Sequence, residues 1–191
     1  MATPVDGHSE GAGDPAGADP DPGPRTRTRD DPEGLRLVIR TDGAARGNPG
    51  PASAGAVLID ADAPGARNPL APPLASISDY LGVQTNNVAE YTAVVRALSL
   101  AAELGATEVH LLLDSKLIVE QVNGRWRVKD AKLRPLHADV VEQLRGMARW
   151  TAVHVRRAEN SAADALCNEA IDRALAGGPE SVVRRPDPPV R

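Results

Sequence analysis

With 191 residues, 41% of them hydrophobic, and a formal charge of −4, the chain has room for one domain with a proper core and not for two large ones. Its lone Cys167 excludes an internal disulfide, no apolar run reaches membrane-spanning length, and the N-terminus lacks a signal-peptide core; a cytoplasmic protein without a membrane partner is expected. The charge is uneven, with eight acids against three arginines in residues 1–34 and ten Lys/Arg against four acids in 116–157, a basic flank suited to a polyanion.

Residues 1–34 are rich in Pro and Gly, with Val5 as the one large aliphatic side chain, and cannot bury enough surface to offset the entropy of ordering. They read as a disordered acidic tail. Leu35–Asp42 then reads as a strand, Gly43–Pro51 as a turn, and Ser53–Ile59 and Leu74–Leu81 as two more strands around a Pro-rich 64–73 loop. Short connections suggest an antiparallel meander. The period changes at Asn86–Leu104, which has helical spacing, with Thr85 or Asn86 as cap and Gly105 as stop. Glu108–Asp114 is a fourth strand, Ser115–Asn123 a short helix, Pro135–Ala148 another, Thr151–Arg156 a fifth strand, and Ser161–Ala176 a last helix. From Gly177, four prolines mark a second disordered tail, 177–191, which leaves 35–176 as the folded domain. The order βββαβααβα predicts an α/β fold: a five-stranded mixed sheet, three antiparallel strands then two parallel, flanked by helices.

Four acids fall at strand ends or helix starts inside these apolar segments: Asp42, Glu90, Asp114 and Asp164. Each has an ordinary explanation. Asp42-Gly43 is a common turn pair, Glu90 and Asp164 suit a helix N-terminus, and Asp114 can be a turn or cap residue. Yet Glu90 shares a helical stripe with Val94, Ala97 and Ala101, and Asp164 one with Cys167, Ile171 and Leu175, so both carboxylates point towards the core. If the first and fourth strands are parallel neighbours, Asp42 and Asp114 end side by side. Clustered carboxylates need a positive charge to offset desolvation and repulsion, and an all-oxygen set selects Mg²⁺ or Mn²⁺ over Zn²⁺. Two such ions suit phosphodiester hydrolysis.

The ordered set Thr41-Asp42-Gly43, Gly47-Asn48-Pro49-Gly50-Pro51, Thr85-Asn86-Asn87 with Glu90, Leu113-Asp114-Ser115, and Asn160 with Asp164 resembles ribonuclease H type 1 over about Leu35–Leu175. The resemblance implies a ribonuclease H-like fold and a monomeric endonuclease that cleaves the RNA strand of an RNA/DNA hybrid. It would use two Mg²⁺, with Mn²⁺ as substitute, and leave 5′-phosphate and 3′-hydroxyl ends. It makes Asp42, Glu90, Asp114 and Asp164 the metal ligands. It sets Gly43, Asn48 and Asn87 in the hybrid's minor groove, Thr85 and Asn86 near the DNA backbone, and Ser115 and Asn160 beside the substrate. Asn side chains and close glycine backbone can read 2′-hydroxyls and shape without reading sequence.

Two departures stand out. Many members carry a His between the last strand and last helix, whereas this chain has Arg157-Ala158-Glu159-Asn160 there, and Arg157 is expected to take part of that role. His154 and His137 carry no motif support. In place of a long basic handle the chain has Gly124-Arg125-Trp126-Arg127-Val128-Lys129. Trp126, Arg127 and Lys129 either clamp the nucleic acid or surround a core-closing Trp126. The short loop and absent handle leave double-stranded RNA as an alternative substrate, and a non-catalytic nucleic-acid-binding module is the reading from a different class.

Overall fold

The structure is a computed structural model, and it describes residues 34–185. The tail expected at 1–34, except Gly34, and residues 186–191 of the other tail lie outside the described residues. Six strands and four helices follow in the order β1 (Leu35–Ala45), β2 (Gly50–Asp60), β3 (Ala75–Gln84), α1 (Asn86–Glu103), β4 (Ala106–Leu113), α2 (Lys116–Val122), α3 (Leu133–Arg145), β5 (Arg149–His154), α4 (Ser161–Leu175) and β6 (Ser181–Arg184). A single 3₁₀ turn, Arg157–Glu159, precedes α4.

One sheet carries the fold, in the order β5-β4-β1-β2-β3-β6. The meander β1-β2-β3 is antiparallel and β4 and β5 run parallel to β1, as the sequence predicts. Strand alternation sends Leu37, Ile39, Leu111 and Leu113 to one face, where they meet Tyr91, Val94, Ala97, Leu98 and Ala101 of α1. Val38, Val57, Ile59 and Leu112 go to the other, against Ala162 and Leu166 of α4. With both faces covered, even the charged Arg36 and Arg40 of β1 are buried. Among the described residues no helix is long and apolar enough to cross a membrane.

The expected five strands become six, because the tail predicted from residue 177 begins with β6, antiparallel on the free edge of β3. Two valines between polar residues and a Pro carry little strand signal on their own. The pairing is set from outside: Arg173 of α4 donates to the carbonyls of Ser78 and Pro179, and the Ser181 hydroxyl donates to Asp79 at 2.6 Å. Helix α3 begins at Leu133, two residues earlier than expected, since Pro135 in a first turn removes an N–H that has no intrahelical partner. Strand β1 runs three residues past Asp42 to Ala45, so that acid lies within a strand and not at its end.

Candidate active site

The parallel ladder between β1 and β4 ends at the pair Thr41 and Leu113, so Asp42 and Asp114 are the next residues along two neighbouring strands. Beyond that point β1 continues against β2 alone, with Asp42 opposite Gly55, while β4 gives way to α2. The other two carboxylates arrive on helix starts, and glycines admit them. A Cβ on Gly43 would stand 2.0 Å from the backbone N of Glu90, and one on Gly55 would stand 2.3 Å from the carbonyl O of Ala163. The first turns of α1 and α4 therefore rest directly on the β1–β2 pair from its two faces, and a side chain at either glycine would push them away.

Asp42 is 6% exposed, and its Oδ2 is buried without a hydrogen-bond partner. Burial first, then the charges of Asp114, Glu90 and Asp164, push its carboxyl up to about 7, with Arg157 acting in the opposite sense. Glu90 is raised too, chiefly by burial, while hydrogen bonds from the Ser115 hydroxyl and from Asn86 Nδ2 at 2.9 Å favour its ionised form. Asp114 Oδ1 accepts from Asn160 Nδ2 at 2.9 Å, and Asp164 Oδ1 from Arg157 Nη2 at 3.1 Å. Asn168 Nδ2 reaches Asp164 Oδ2 at 3.2 Å.

Three of the four carboxylates thus have neighbouring donors, and Asp42 at the centre keeps an oxygen with none. Among the described residues no group of three or more His, Cys, Asp or Glu is arranged as it stands to hold a metal ion. The donor set nevertheless fits one: only oxygens converge, four like charges crowd together, and the orphaned Asp42 oxygen lacks the positive partner that burial demands. Cys167 is no soft ligand here. Its thiol is buried, pushed up by burial, and donates to the Asp42 carbonyl at 3.1 Å.

The other predicted site residues divide into supports and contacts. Thr85 caps α1 by accepting from the Val88 N–H at 3.4 Å, and Asn48 Oδ1 accepts from the Asn86 N–H at 3.1 Å, which ties the β1–β2 hairpin to the helix start. Three of these residues also have partners within the fold. Asn160 is 1% exposed and donates to Thr41 O at 2.8 Å as well as to Asp114, so it braces the site from within. Gly43 is buried under Ala89 and Glu90, whose close approach leaves no room for a side chain. Ser115 makes no side-chain cap for α2 and turns its hydroxyl to Glu90. The stripe expected to bury Leu175 stops short, since that residue ends α4 in solvent.

Sequence reasoning missed Gly55, which reads as an ordinary strand glycine; only its pairing with Asp42 exposes its role. The sequence alone leaves two readings of Trp126 open. At 47% exposure Trp126 closes no core. It lines an open cavity of about 560 Å³ with Asn87, Leu117, Arg127 and Lys129, floored by Gln121 and Leu133. Gln121 accepts from the Tyr91 hydroxyl at 2.6 Å and holds that floor to α1. His137 packs edge-on against Tyr91, and His154 is exposed at the end of β5, so neither enters the carboxylate site.

Residues 40–170 match the family model described as "Reverse transcriptase-like". The chain is 43% identical over 141 residues to "Ribonuclease HI" of Halobacterium salinarum, which covers 74% of this chain and 67% of that protein. It is also 43% identical over 140 residues to the "Bifunctional protein Rv2228c" of Mycobacterium tuberculosis, covering 73% of this chain and only 36% of the relative, so it spans about a third of that longer protein. The crystal structure of LC11-RNase H1 in complex with RNA/DNA hybrid superposes with a TM-score of 0.64 at 40% identity, covering 73% of this chain and 99% of the other.

Proposed function

Because the chain belongs to the type 1 ribonuclease H family, we propose that it hydrolyses the RNA strand of RNA/DNA hybrids and leaves 5′-phosphate and 3′-hydroxyl ends. The observation that carries this reading is the buried, partnerless Oδ2 of Asp42 amid three further carboxylates. Asp42, Glu90, Asp114 and Asp164 would hold two Mg²⁺ ions, with Mn²⁺ as substitute. When bound, such ions supply Lewis acidity, activate water and stabilise the leaving oxygen. With its carboxyl raised to about 7 in the free protein, Asp42 must release a proton as a cation enters, so occupancy weakens as pH falls below that value.

The remaining residues position and bind. Asn160 fixes Asp114 against the β1 backbone, and Asn86 and Ser115 orient Glu90. Arg157 is held above its ordinary pKa, first by its hydrogen bond to Asp164 and then by the charge of Asp42. A guanidinium so placed keeps its proton, so Arg157 takes the electrostatic share of the missing histidine's role and not proton transfer. Asn48 and Asn87, both exposed near the α1 start, suit the 2′-hydroxyl-lined minor groove, and Trp126, Arg127 and Lys129 suit the sugar-phosphate of the DNA strand.

The direct test is cleavage of end-labelled RNA/DNA hybrid, double-stranded RNA and double-stranded DNA in parallel, with and without Mg²⁺. Mg²⁺-dependent cutting within the RNA strand of the hybrid is expected. Equal cutting of double-stranded RNA would broaden the substrate, and binding of hybrid without cleavage would reduce the domain to a binding module.

A further inference from the structure

Asn160 holds the 157–160 turn from one side, and a second buried side chain, which the proposed chemistry does not use, holds it from another. Arg40 lies two residues before Asp42 in β1 and is 2% exposed. Its strand partners are Val57 and Leu112, both members of the apolar cluster beneath α4. There its Nη1 donates to the carbonyl of Glu159 at 2.7 Å and its Nη2 to the carbonyl of Arg67 at 2.6 Å, while its Nε has no partner.

A Leu or Met would fill this place without desolvating a charge, and burial does lower the Arg40 pKa against the pull of Glu159. What the guanidinium adds is location. Glu159 ends the 3₁₀ turn and sits between Arg157, which holds Asp164, and Asn160, which holds Asp114. Arg67 lies in the loop between β2 and β3. One planar fork joins the central strand, that loop and the turn.

We propose that Arg40 is a positioning residue for the carboxylate site, locking the 157–160 turn so that Arg157 and Asn160 present Asp164 and Asp114 to the centre. The inference rests on reading the four carboxylates as the active site. Its test pairs amide hydrogen exchange on the full chain with hybrid cleavage, for Arg40→Met, Arg40→Lys, and Arg40→Met combined with Arg157→Ala. In Arg40→Met the amides of Glu159, Asn160 and Asp164, whose bonds close this turn, exchange about tenfold faster or more, with α3 and β3 unchanged. Arg40→Lys, able to reach one carbonyl, falls between.

On the hybrid, Arg40→Met lowers kcat about tenfold at unchanged KM, and by clearly less than that once Arg157→Ala is present, since only the Asn160 arm then remains to be lost. Unchanged exchange in the turn, a uniform rise across the domain, or kcat losses that simply multiply would overturn the proposal. Should Arg40→Met fail to fold, Arg40→Lys carries both readouts. If the parent protein cuts no hybrid, the function reading fails while hydrogen exchange still decides the positioning role.

Discussion

Asp42 is enclosed by two strands and two helix starts, and its carboxylate neighbours are oriented by Asn160, Asn86, Ser115 and Arg157. Trp126, in the segment after α2, is nearly half exposed on a cavity wall, and Arg127 and Lys129 beside it are exposed as well. The first region is built out of the core, so its geometry is over-determined and its charges are costly. The second is built on the surface, where side chains are free to adapt and salt screens them. Chemistry needs atoms held within fractions of an ångström, whereas gripping a polyanion of variable sequence needs charge and a stacking face.

Substitutions can break or sharpen that contrast. The largest effect is expected from Asp42→Asn, which drops hybrid cleavage to the metal-free background. It also stabilises the metal-free protein above about pH 7, because the parent buries an ionised carboxylate there. The sign follows from a folded value raised from 3.8 to about 7: both states are protonated below 3.8, the unfolded chain ionises first, and parental stability falls as pH rises across that window. The gain, on the order of a few kcal/mol at most, should vanish near pH 4 in urea titrations. A variant that cuts normally would refute the ligand assignment.

Gly43→Ala comes next, since its Cβ meets backbone and not a yielding side chain. It should cost about 3 kcal/mol in urea denaturation and carry Glu90 out of place, so that cleavage falls with stability. Arg157→Ala should leave stability within about 1 kcal/mol, as befits an exposed ion pair, yet lower kcat about tenfold. Wild-type turnover in that variant would leave the absent histidine unreplaced. The smallest effects belong to the surface: Arg127→Ala and Lys129→Ala should each raise KM a few-fold and reduce the salt slope of hybrid binding by about one. Unchanged slopes would make them bystanders and leave Trp126 alone on the cavity wall.

Much of the site is legible in the sequence. Glu90 shows its inward direction through the stripe of Val94, Ala97 and Ala101, all buried as the helical period requires. Asp42 and Asp114 meet because an antiparallel meander followed by a helix returns the chain parallel to its first strand. Gly55 could not be read the same way, because strand glycines have many uses and only the register opposite Asp42 distinguishes this one. The motif places Asn160 beside the substrate but says nothing of its burial or of its bond to the Thr41 carbonyl, which depend on how the turn before α4 packs on β1.

The sequence by itself determined the order and type of the elements up to α4 and which four carboxylates come near one another, because periodicity and motif spacing are local properties of a chain. Tertiary structure alone decided three things: that β6 pairs with β3, that Arg36 and Arg40 are buried, and that Arg40 reaches the turn before α4. Each depends on what covers a strand edge or face, and the covering segment lies roughly a hundred residues away in the sequence for both β6 and the Arg40 contact. Local propensity carries no information about such partners; the free edge of β3 and the buried face of β1 supply it.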